Sequence, residues 1–460
     1  MFSKPSVKTA SLLILLICLL FSLVATSAAQ TTPTAAPEPD TRVVSTGEYV
    51  VLRSDDWVSS AKPVLPPAHF DARDPDSTAT ATIIVNYVDA ATTWDLNPQA
   101  KTAFQFAVDI WETLINSPVP IVVNAEWTPL DPGVLGSAGP YTVHRNNVSF
   151  PRASTWYPVA LANALAGADL NGGSPEVVAR FSSVYANWYF GTGSTTPSTD
   201  YNFTTVVLHE LGHGLGFLGS MSVSSGIGSW GYPGSLPTPI NPLVYDHYSE
   251  NNAGQPLLSF PNLSTLLGDQ LISNALYFNG PNANAANGGA RVALYAPTTW
   301  RPGSSYSHLG EIYNSTPNAL MTYSLAKGET NYNPGPIVLG IFRDMGWSTG
   351  PIYTPPTFFS LPDQLLLKNE SRSDALDLTH YTILGTSGLN ELTYSIINTP
   401  DPAAGVTLNG AMISINPTTN WLGNALVTVQ VEDGTASDTA SFTVRSVDQI
   451  LYTYLPSIAR

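Results

Sequence analysis

Residues 206–213 read VVLHELGH and constrain the fold more than any other stretch of the chain. Residues four positions apart lie on one face of an α-helix, so His209 and His213 can bind the same metal ion, with Glu210 beside them as a base. The apolar residues Val206 to Leu208 predict that this helix faces the core. We therefore expect a domain built around a buried, metal-binding helix.

Chance is a poor explanation for this motif. With seven histidines in 460 residues, H-E-x-x-H should arise by chance on the order of 0.003 times in such a chain. The alternative is that the two histidines are satisfied by local hydrogen bonds. We predict that the ion is Zn²⁺, that His209 and His213 are ligands, and that Glu210 takes a proton from zinc-bound water.

The third zinc ligand does not follow the motif directly, although a catalytic zinc ion normally has three protein ligands. In the compact pattern H-E-x-x-H-x-x-G-x-x-H the third histidine would be residue 219, which is a glycine in this chain. Gly216 still matches the glycine of the pattern, which lets the chain leave the helix in a conformation that other residues resist. The turn after the helix is therefore retained, and the third zinc ligand must come from another part of the chain.

The other histidines narrow the search for the third ligand. Three lie in the leader, in a loop before the motif and in the C-terminal module: His69, His144 and His380. This leaves His308 and His247 as candidates. A glutamate on a second helix, as in thermolysin-like enzymes, would have to be Glu250 or Glu311, and Glu250 lies in SENNAGQP, a poor helix sequence.

His308 is favoured by Met321, thirteen positions later in NALMTYS. HELGHGLGF, a distant histidine and an ALMT-type methionine turn together resemble the metzincin clan of zinc endopeptidases. In leishmanolysin-like members an insertion separates the third histidine from the glycine, and this chain resembles that arrangement. The resemblance extends loosely over residues 80–347 and is specific at 204–217 and 307–323.

The resemblance implies roles for particular residues. It implies three zinc ligands: His209, His213 and His308. Glu210 would be the general base and Met321 the methionine packed beneath the metal. Tyr323 occupies a position where some metzincins carry a tyrosine that stabilises the developing oxyanion, with ordinary packing as the alternative. Substrate would pair in an extended conformation with an edge strand, for which EVVARF (176–181) is the candidate.

The resemblance implies an α+β zincin (metzincin-like) catalytic domain, and the segments around the motif predict individual helices and strands. Apolar residues at helical spacing predict a helix after Asn97, which would cap it, and Pro98. β-branched residues predict strands at 80–88, 121–127 and 176–181, of which the first would begin the ordered chain.

Start and stop signals bound the remaining helices. Asn202 or Thr204 would cap the motif helix, which the glycines at 214 and 216 would end. Residues 218–301 are rich in Gly, Pro, Asn and Ser and predict a long insertion of ordered loops. A last helix is predicted at 336–345, PIVLGIFRDM.

Alternating residues near the C-terminus predict an all-β sandwich domain after the catalytic domain. Short strands are expected at 392–398, 406–410, 412–417, 425–433 and 439–447. The pattern resembles the immunoglobulin-like or cadherin-like modules of many exported bacterial enzymes. Such a module would bind a surface glycan or protein.

Composition divides the rest of the chain. Lys4, Lys8 and an apolar run of about 13 residues, shorter than the about 20 of a membrane span, are typical of a signal peptide. The predicted segments are a signal peptide at 1–29, a flexible leader or short pro-segment at 30–78, a zinc metalloprotease domain at 79–349, a linker at 350–359, a β-sandwich at 360–447 and a tail at 448–460. We predict a secreted protein that is soluble after cleavage, with cell-surface association left open.

Charge and cysteine content limit the partners. The net charge is −16 and basic residues are scattered, which excludes a nucleic-acid partner. Cys18, the only cysteine, lies in the predicted signal, so a thiol-to-zinc latch is not expected. Calcium is a possible second ion because of Asp- and Asn-rich loops such as GADLNGG (167–173), although no ligand spacing identifies a site.

The predicted function is zinc-dependent hydrolysis of protein or peptide substrates. Two alternatives remain open: an adhesin-like surface-binding protein with a non-catalytic zinc domain, and a zinc hydrolase that acts on something other than peptides. Glu210 favours catalysis, because a purely structural zinc site needs no base.

Overall fold

The computed structural model describes residues 40–44, 48–67, 70, 79–185, 187–233, 239–349, 356–358, 360–383, 392–433 and 437–449. The predicted signal peptide with Cys18, most of the predicted linker and most of the predicted tail lie outside these residues. Within them the chain is a mixed α/β structure with a β-rich C-terminal region. The described helices include none with the length and apolar character needed to cross a membrane.

A six-stranded sheet forms the centre of the N-terminal part. Its strands are β1 (Val50–Val58), β2 (Ile83–Tyr87), β3 (Ile121–Thr128), β4 (Val134–Pro140), β5 (Val177–Ser182) and β6 (Ser324–Lys327). Their spatial order is β6-β1-β4-β5-β3-β2. β2, β3 and β5 run parallel, β4 is antiparallel to both of its neighbours, and β6 is parallel to β1.

Six α-helices accompany this sheet in the part of the chain that the structure describes. They are α1 (Pro98–Leu114), α2 (Val159–Ala166), α3 (Phe203–Gly214), α4 (Thr265–Leu271), α5 (Pro281–Ala286) and α6 (Gly335–Met345). The predicted apolar face of α1 is confirmed, since Phe104, Val108 and Trp111 are fully buried. α3 packs against α1 on one side and against β1, β4 and β5 on the other, so the motif helix lies inside the main core.

The segment predicted as ordered loops holds α4, α5 and several short strands. One three-stranded antiparallel sheet consists of Ser249–Asn251, Leu276–Phe278 and Val292–Leu294. Another short pair joins Ser222–Ser224 to Ile227–Ser229. Strands of three residues carry too little periodicity to be read from sequence.

Short strand pairs also lie outside this segment. Asp40–Val43 pairs with Thr142–Arg145, which pairs with Tyr157–Pro158. Trp188–Tyr189 pairs with Tyr201–Asn202, and Ser348–Thr349 pairs with Ile115–Asn116.

Three features of the central sheet differ from the predictions. Order does not begin at 80–88, because β1 lies within the predicted leader and is a central strand of the sheet. The predicted edge strand, β5, is interior, with β4 and β3 on its two sides. β4 itself was not predicted, since its sequence VLGSAGP has few β-branched residues.

The small residues of β4 are explained by what crosses it. A Cβ at Gly136 would lie 2.6 Å from Oε1 of Glu210, and a Cβ at Gly139 would lie 2.5 Å from Cδ1 of Tyr49. Larger side chains at these positions would push α3 and Tyr49 away from the sheet. β4 therefore carries glycine where Glu210 and Tyr49 approach its backbone, and it has few of the β-branched residues that are typical of a strand.

The described residues of the C-terminal region include nine strands. They are β7 (Thr357–Phe358), β8 (Gln364–Leu367), β9 (Arg372–Asp377), β10 (Thr382–Ile383), β11 (Thr393–Ile396), β12 (Val406–Asn409), β13 (Met412–Ile415), β14 (Gly423–Glu432) and β15 (Ser437–Val447). The last five confirm the predicted strands. The C-terminal strands form one sheet of order β8-β15-β14-β11 and another of order β9-β13-β12. The region contains a curled half-barrel sheet.

The C-terminal strands share a hydrophobic core of their own. Val427, Val429 and Val431 of β14 are fully buried, whereas Leu426, which directly precedes Val427, is 57% exposed. This is the period of two that the sequence predicts for a strand with one buried face.

Candidate metal centre

The motif helix α3 begins with a side-chain cap and ends at a glycine. Asn202 is the cap, because its side chain accepts a hydrogen bond of 2.8 Å from the backbone N–H of Thr205. Thr204, the other candidate, instead donates its hydroxyl to the carbonyl of Ala103 in α1 at 3.1 Å. The helix ends at Gly214, and Gly216 has a φ of 123°, which confirms the role predicted for this glycine.

Two tryptophans hold α3 at its C-terminal half. The indole N–H of Trp111 donates to the carbonyl of Leu208 at 2.9 Å, and that of Trp347 donates to the carbonyl of Leu215 at 3.0 Å. Gly214 lets β5 approach, since a Cβ there would lie 2.2 Å from Cγ1 of Val177. These contacts fix the axial position of the histidines relative to the sheet.

Met321 lies directly against the motif helix. It is fully buried, and a Cβ at Gly212 would lie 2.9 Å from its sulfur. The preceding carbonyl, that of Leu320, lies 2.6 Å from Nδ1 of His209. The methionine turn therefore supports His209 through its backbone and fills the space beside α3 with its side chain.

After the long insertion, the chain packs at Tyr306 against the segment that follows α3. A Cβ at Gly219, where the compact pattern has its third histidine, would lie 1.9 Å from Cε1 of the Tyr306 ring. Tyr306 is fully buried with a φ of 73°, a strained conformation for a bulky residue. Its hydroxyl donates to Asp246 at 2.9 Å and contacts Ser249, so the strained turn is held by buried polar partners.

This turn brings His308 to the two motif histidines. Nε2 of His213 lies 2.9 Å from Nε2 of His209 and 3.2 Å from Nε2 of His308, and the remaining pair is 3.3 Å apart. Nitrogens bound to one tetrahedral zinc ion at about 2.0–2.1 Å are separated by about 3.3 Å. The three atoms therefore have the spacing of a His₃ zinc site.

The outer nitrogens of the three rings fix their tautomers. Nδ1 of His209, His213 and His308 lies 2.6, 2.6 and 2.7 Å from the carbonyl oxygens of Leu320, Phe217 and Ser304 respectively. A carbonyl can only accept, so each Nδ1 carries the proton. Each Nε2 then presents a lone pair to the common centre, and three lone pairs at this spacing repel unless a cation lies between them.

Burial keeps the three imidazoles neutral, which is the form that binds a metal. It holds the pKa of His209 at about 4 and lowers the pKa of His213 and of His308 well below the usual 6.5. For His213 and His308 the neighbouring imidazoles lower the pKa further. In the described part of the chain these three are the one group of three or more His, Cys, Asp or Glu side chains close enough together to hold an ion.

Glu210 lies on the same helix and is fully buried. Oε1 accepts a hydrogen bond of 3.3 Å from the backbone N–H of Leu52 in β1, and Oε2 has no hydrogen-bond partner. Burial raises the pKa of this carboxyl well above its usual value, and the Leu52 N–H opposes the rise. An unpartnered buried carboxylate oxygen is costly and is typical of a functional group.

The other candidate ligands lie elsewhere. Nε2 of His247 lies 2.9 Å from the hydroxyl of Thr155, and His247 is not part of the cluster. Glu250 lies in a strand and pairs with Arg291 at 3.3 Å, while Glu311 is exposed in a 3₁₀-helix. The structure thus brings His308, rather than these residues, to the motif.

Tyr323 is half-buried beside the methionine turn. Its ring stacks on Tyr295 with centroids 4.1 Å apart, and the guanidinium of Arg301 lies 5.7 Å from its centroid. Its carbonyl accepts a hydrogen bond of 3.0 Å from the N–H of Arg53. These contacts describe packing and strand pairing, and the predicted oxyanion role stays a prediction.

The loop singled out for calcium is closed by its own backbone. Asp169 accepts hydrogen bonds of 2.9 Å from each of the N–H groups of Asn171, Gly172 and Gly173. These hydrogen bonds lower the pKa of Asp169 against the effect of burial. The carboxylate is engaged by donors that a cation would have to replace.

Two residues at the site were missed by sequence analysis. Leu52 lies in a segment predicted to be flexible, and Gly136 lies in the unpredicted strand β4. The alternation of VVLRSDDWV around Leu52 carried a weak strand signal. Nothing local marks Gly136, because its role depends on Glu210, which is distant in sequence.

Comparison with known proteins gives little guidance. No family model matches the chain, and no curated protein matches it. Among solved structures it is similar to an endo-fucoidan hydrolase from glycoside hydrolase family 107, with 18% identity over 21% of this chain and 15% of that chain. The TM-score is 0.17, so the similarity supports no argument about fold or function.

Proposed function

We propose that this protein is a zinc-dependent endopeptidase. The observation that carries the proposal is the convergence of three deprotonated Nε2 atoms within 3.3 Å of one another, with Glu210 on the same helix. The ligand set is three neutral nitrogens with a carboxylate beside it, which is the composition of catalytic rather than structural zinc sites.

The ion would supply Lewis-acid chemistry toward water and the carbonyl group of a substrate. His209, His213 and His308 would hold it, each oriented by the carbonyl that accepts its Nδ1–H. Glu210 would accept a proton on its free Oε2 and later donate it to the departing amine. Tyr323 remains a candidate for stabilising the oxyanion.

A peptide substrate is supported by the surroundings of Glu210. Its Oε1 accepts a hydrogen bond from the main-chain N–H of Leu52. Beside α3, the backbone of β4 pairs with an extended segment of chain, β1. A cleft that binds an extended main chain is suited to peptides of many sequences. This favours peptide hydrolysis over hydrolysis of other substrates.

The finer assignments are part of the same proposal. The N-terminal part would be a metzincin-like zincin, and the C-terminal strands an immunoglobulin- or cadherin-like sandwich that binds a surface glycan or protein. The protein would be secreted. The motif and the methionine turn support the first assignment, and the alternating buried valines of β14 support the second.

Casein hydrolysis tests the proposal. The zinc-loaded protein, in a form whose metal centre is open to substrate, should cleave casein, and both a chelator and Glu210→Gln should abolish cleavage. If the biological activity of the protein is undiminished in Glu210→Gln, the adhesin alternative is correct. If a form with an open metal centre leaves casein untouched while it cleaves a non-peptide ester or amide, the protein is a different zinc hydrolase.

A further inference from the structure

β1 crosses the candidate metal centre as an extended strand. It pairs antiparallel with β4, placing Leu52 opposite Gly136, and parallel with β6, placing Arg53 opposite Ser324. On the β6 side the N–H of Arg53 donates to the carbonyl of Tyr323 at 3.0 Å. The segment is thus held by main-chain hydrogen bonds from both sides, as an extended peptide is held in a cleft.

The peptide nitrogen of Leu52 faces the candidate base. Its N–H donates to Oε1 of Glu210 at 3.3 Å. In peptide hydrolysis the base returns its proton to the nitrogen of the bond that breaks. Leu52 therefore holds its peptide nitrogen where that of a bound substrate would be expected.

β1 also contacts the loop that carries the third histidine. The N–H of Val51 donates to the carbonyl of Gly303 at 2.9 Å, and Nε of Arg53 donates to the hydroxyl of Ser304 at 3.2 Å. The carbonyl of Ser304 accepts Nδ1–H of His308 at 2.7 Å. The strand therefore bridges the Glu210 side and the His308 side of the centre.

With β1 in place, the centre is closed to large molecules. His209, Glu210, His213 and His308 are all fully buried. Leu52 is 2% exposed, whereas Trp57 and Val58 at the far end of the strand are 48% and 50% exposed. A polypeptide substrate cannot reach Glu210 unless the first half of β1 moves away.

We propose that β1 is an autoinhibitory strand that occupies the substrate cleft of the chain's own catalytic centre. The proposal rests on the proposed endopeptidase function and names its regulation. Displacement or removal of β1 exposes the metal centre and frees the edge of β4 for an extended substrate. Inhibition is by occupancy of the cleft and requires no cysteine.

The full-length, zinc-loaded chain provides the test. Leu52→Asp places a charge in a buried position and weakens the packing of β1. Val51→Pro removes the N–H that donates to the carbonyl of Gly303, and because Val51 is only half-buried this change disturbs the core less. Val58→Ala, at the exposed end of the same strand, is the matched control. If Leu52→Asp fails to fold, Val51→Pro carries the test.

Two rates are measured for each variant: zinc loss to 1,10-phenanthroline and casein hydrolysis. Both rates should rise about tenfold or more in Leu52→Asp and Val51→Pro, since the accessible fraction of the centre increases, and stay at the wild-type level in Val58→Ala. A synthetic peptide of residues 48–58 should lower the casein rate of the variants again.

Three results discriminate the possibilities. Equal rates in the wild type and both strand variants would overturn the inference and leave the endopeptidase proposal intact. Faster zinc loss without any casein hydrolysis would keep β1 as a cover of the metal centre and overturn the proposed function. Faster rates that the 48–58 peptide does not reduce would show that β1 acts by stabilising the sheet rather than by filling the cleft.

Discussion

At the scale of single residues, the centre depends on which nitrogen of each ring carries a proton. Three carbonyls, of Leu320, Phe217 and Ser304, accept the Nδ1–H groups and turn every Nε2 inward. These carbonyls come from the methionine turn, the end of the motif helix and the end of the insertion. Three distant parts of the chain must therefore fold together before the ligand set exists.

Glu210→Gln separates catalysis from metal binding. Glutamine has nearly the same shape and can still accept the Leu52 N–H through its oxygen, but it cannot take a proton. In a variant in which β1 is displaced, such as Val51→Pro, the added Glu210→Gln change should lower the rate of casein hydrolysis by roughly 10²–10⁴-fold, with zinc content unchanged. The rate and the zinc content are measured on the same preparation, and retained activity at full zinc would remove Glu210 from the mechanism.

Gly136→Ala tests the placement of the base from the sheet side. The added Cβ would lie 2.6 Å from Oε1 of Glu210, so the carboxylate must shift. When Gly136→Ala is added to a variant in which β1 is displaced, such as Val51→Pro, we expect loss of casein hydrolysis with retained zinc. Gly193→Ala is the control, because its Cβ would meet only the Tyr189 hydroxyl at 3.4 Å. Equal activity in the two variants would show that the position of Glu210 is not critical.

At the scale of elements, sequence patterns identified the helices that carry the site. The boundaries of α1 and α3 follow from Pro98, the Asn202 cap and the glycine at 214, all of which act locally. His308 was favoured because the methionine turn follows it, which is a resemblance and not a local signal. Neither the strained turn at Tyr306 nor its buried partners could be read from the sequence, since they lie far apart in the chain.

Strand neighbours were less predictable than strands. The pattern of β5 identified a strand but not its position in the sheet, because periodicity describes the two faces and not the two edges. β1 was missed because it lies within the segment predicted as a flexible leader, whose first residues are rich in Pro and Thr. β4 was missed because Gly136 and Gly139 are required by α3 and Tyr49.

The packing of α3 on β5 is tested by Gly214→Ala. The new Cβ would lie 2.2 Å from Cγ1 of Val177 in a buried contact. We expect a loss of about 1–3 kcal/mol in the free energy of unfolding, measured by denaturant titration. Adding Val177→Ala should recover part of this loss. If the double variant is less stable by the sum of the two single losses, the clash is not the cause.

At the scale of the whole molecule, buried histidines connect stability to pH. Burial holds the pKa of His144 and His247, which are outside the metal centre, at about 4, against 6.5 when they are free. Between these values the unfolded chain binds more protons than the folded chain, so the free energy of unfolding rises with pH. The contribution is lost as pH falls from about 6.5 toward about 4.

Metal-free protein should therefore lose stability over this acidic range. The hydroxyls of Thr41 and Thr142 lie 3.0 Å from the two ring nitrogens of His144, and glutamine could keep a hydrogen bond there. His144→Gln should therefore reduce the pH dependence of the unfolding midpoint between pH 4.5 and 6.5. An unchanged dependence would show that His144 does not contribute.

The central claim is that His308 completes a three-nitrogen metal site with the two motif histidines. Zinc content after dialysis, measured side by side in the wild type, His308→Ala and His247→Ala, tests it most directly. We predict about one zinc ion per chain in the wild type and in His247→Ala, and loss of zinc in His308→Ala. Full zinc in His308→Ala, with loss in His247→Ala, would contradict the account.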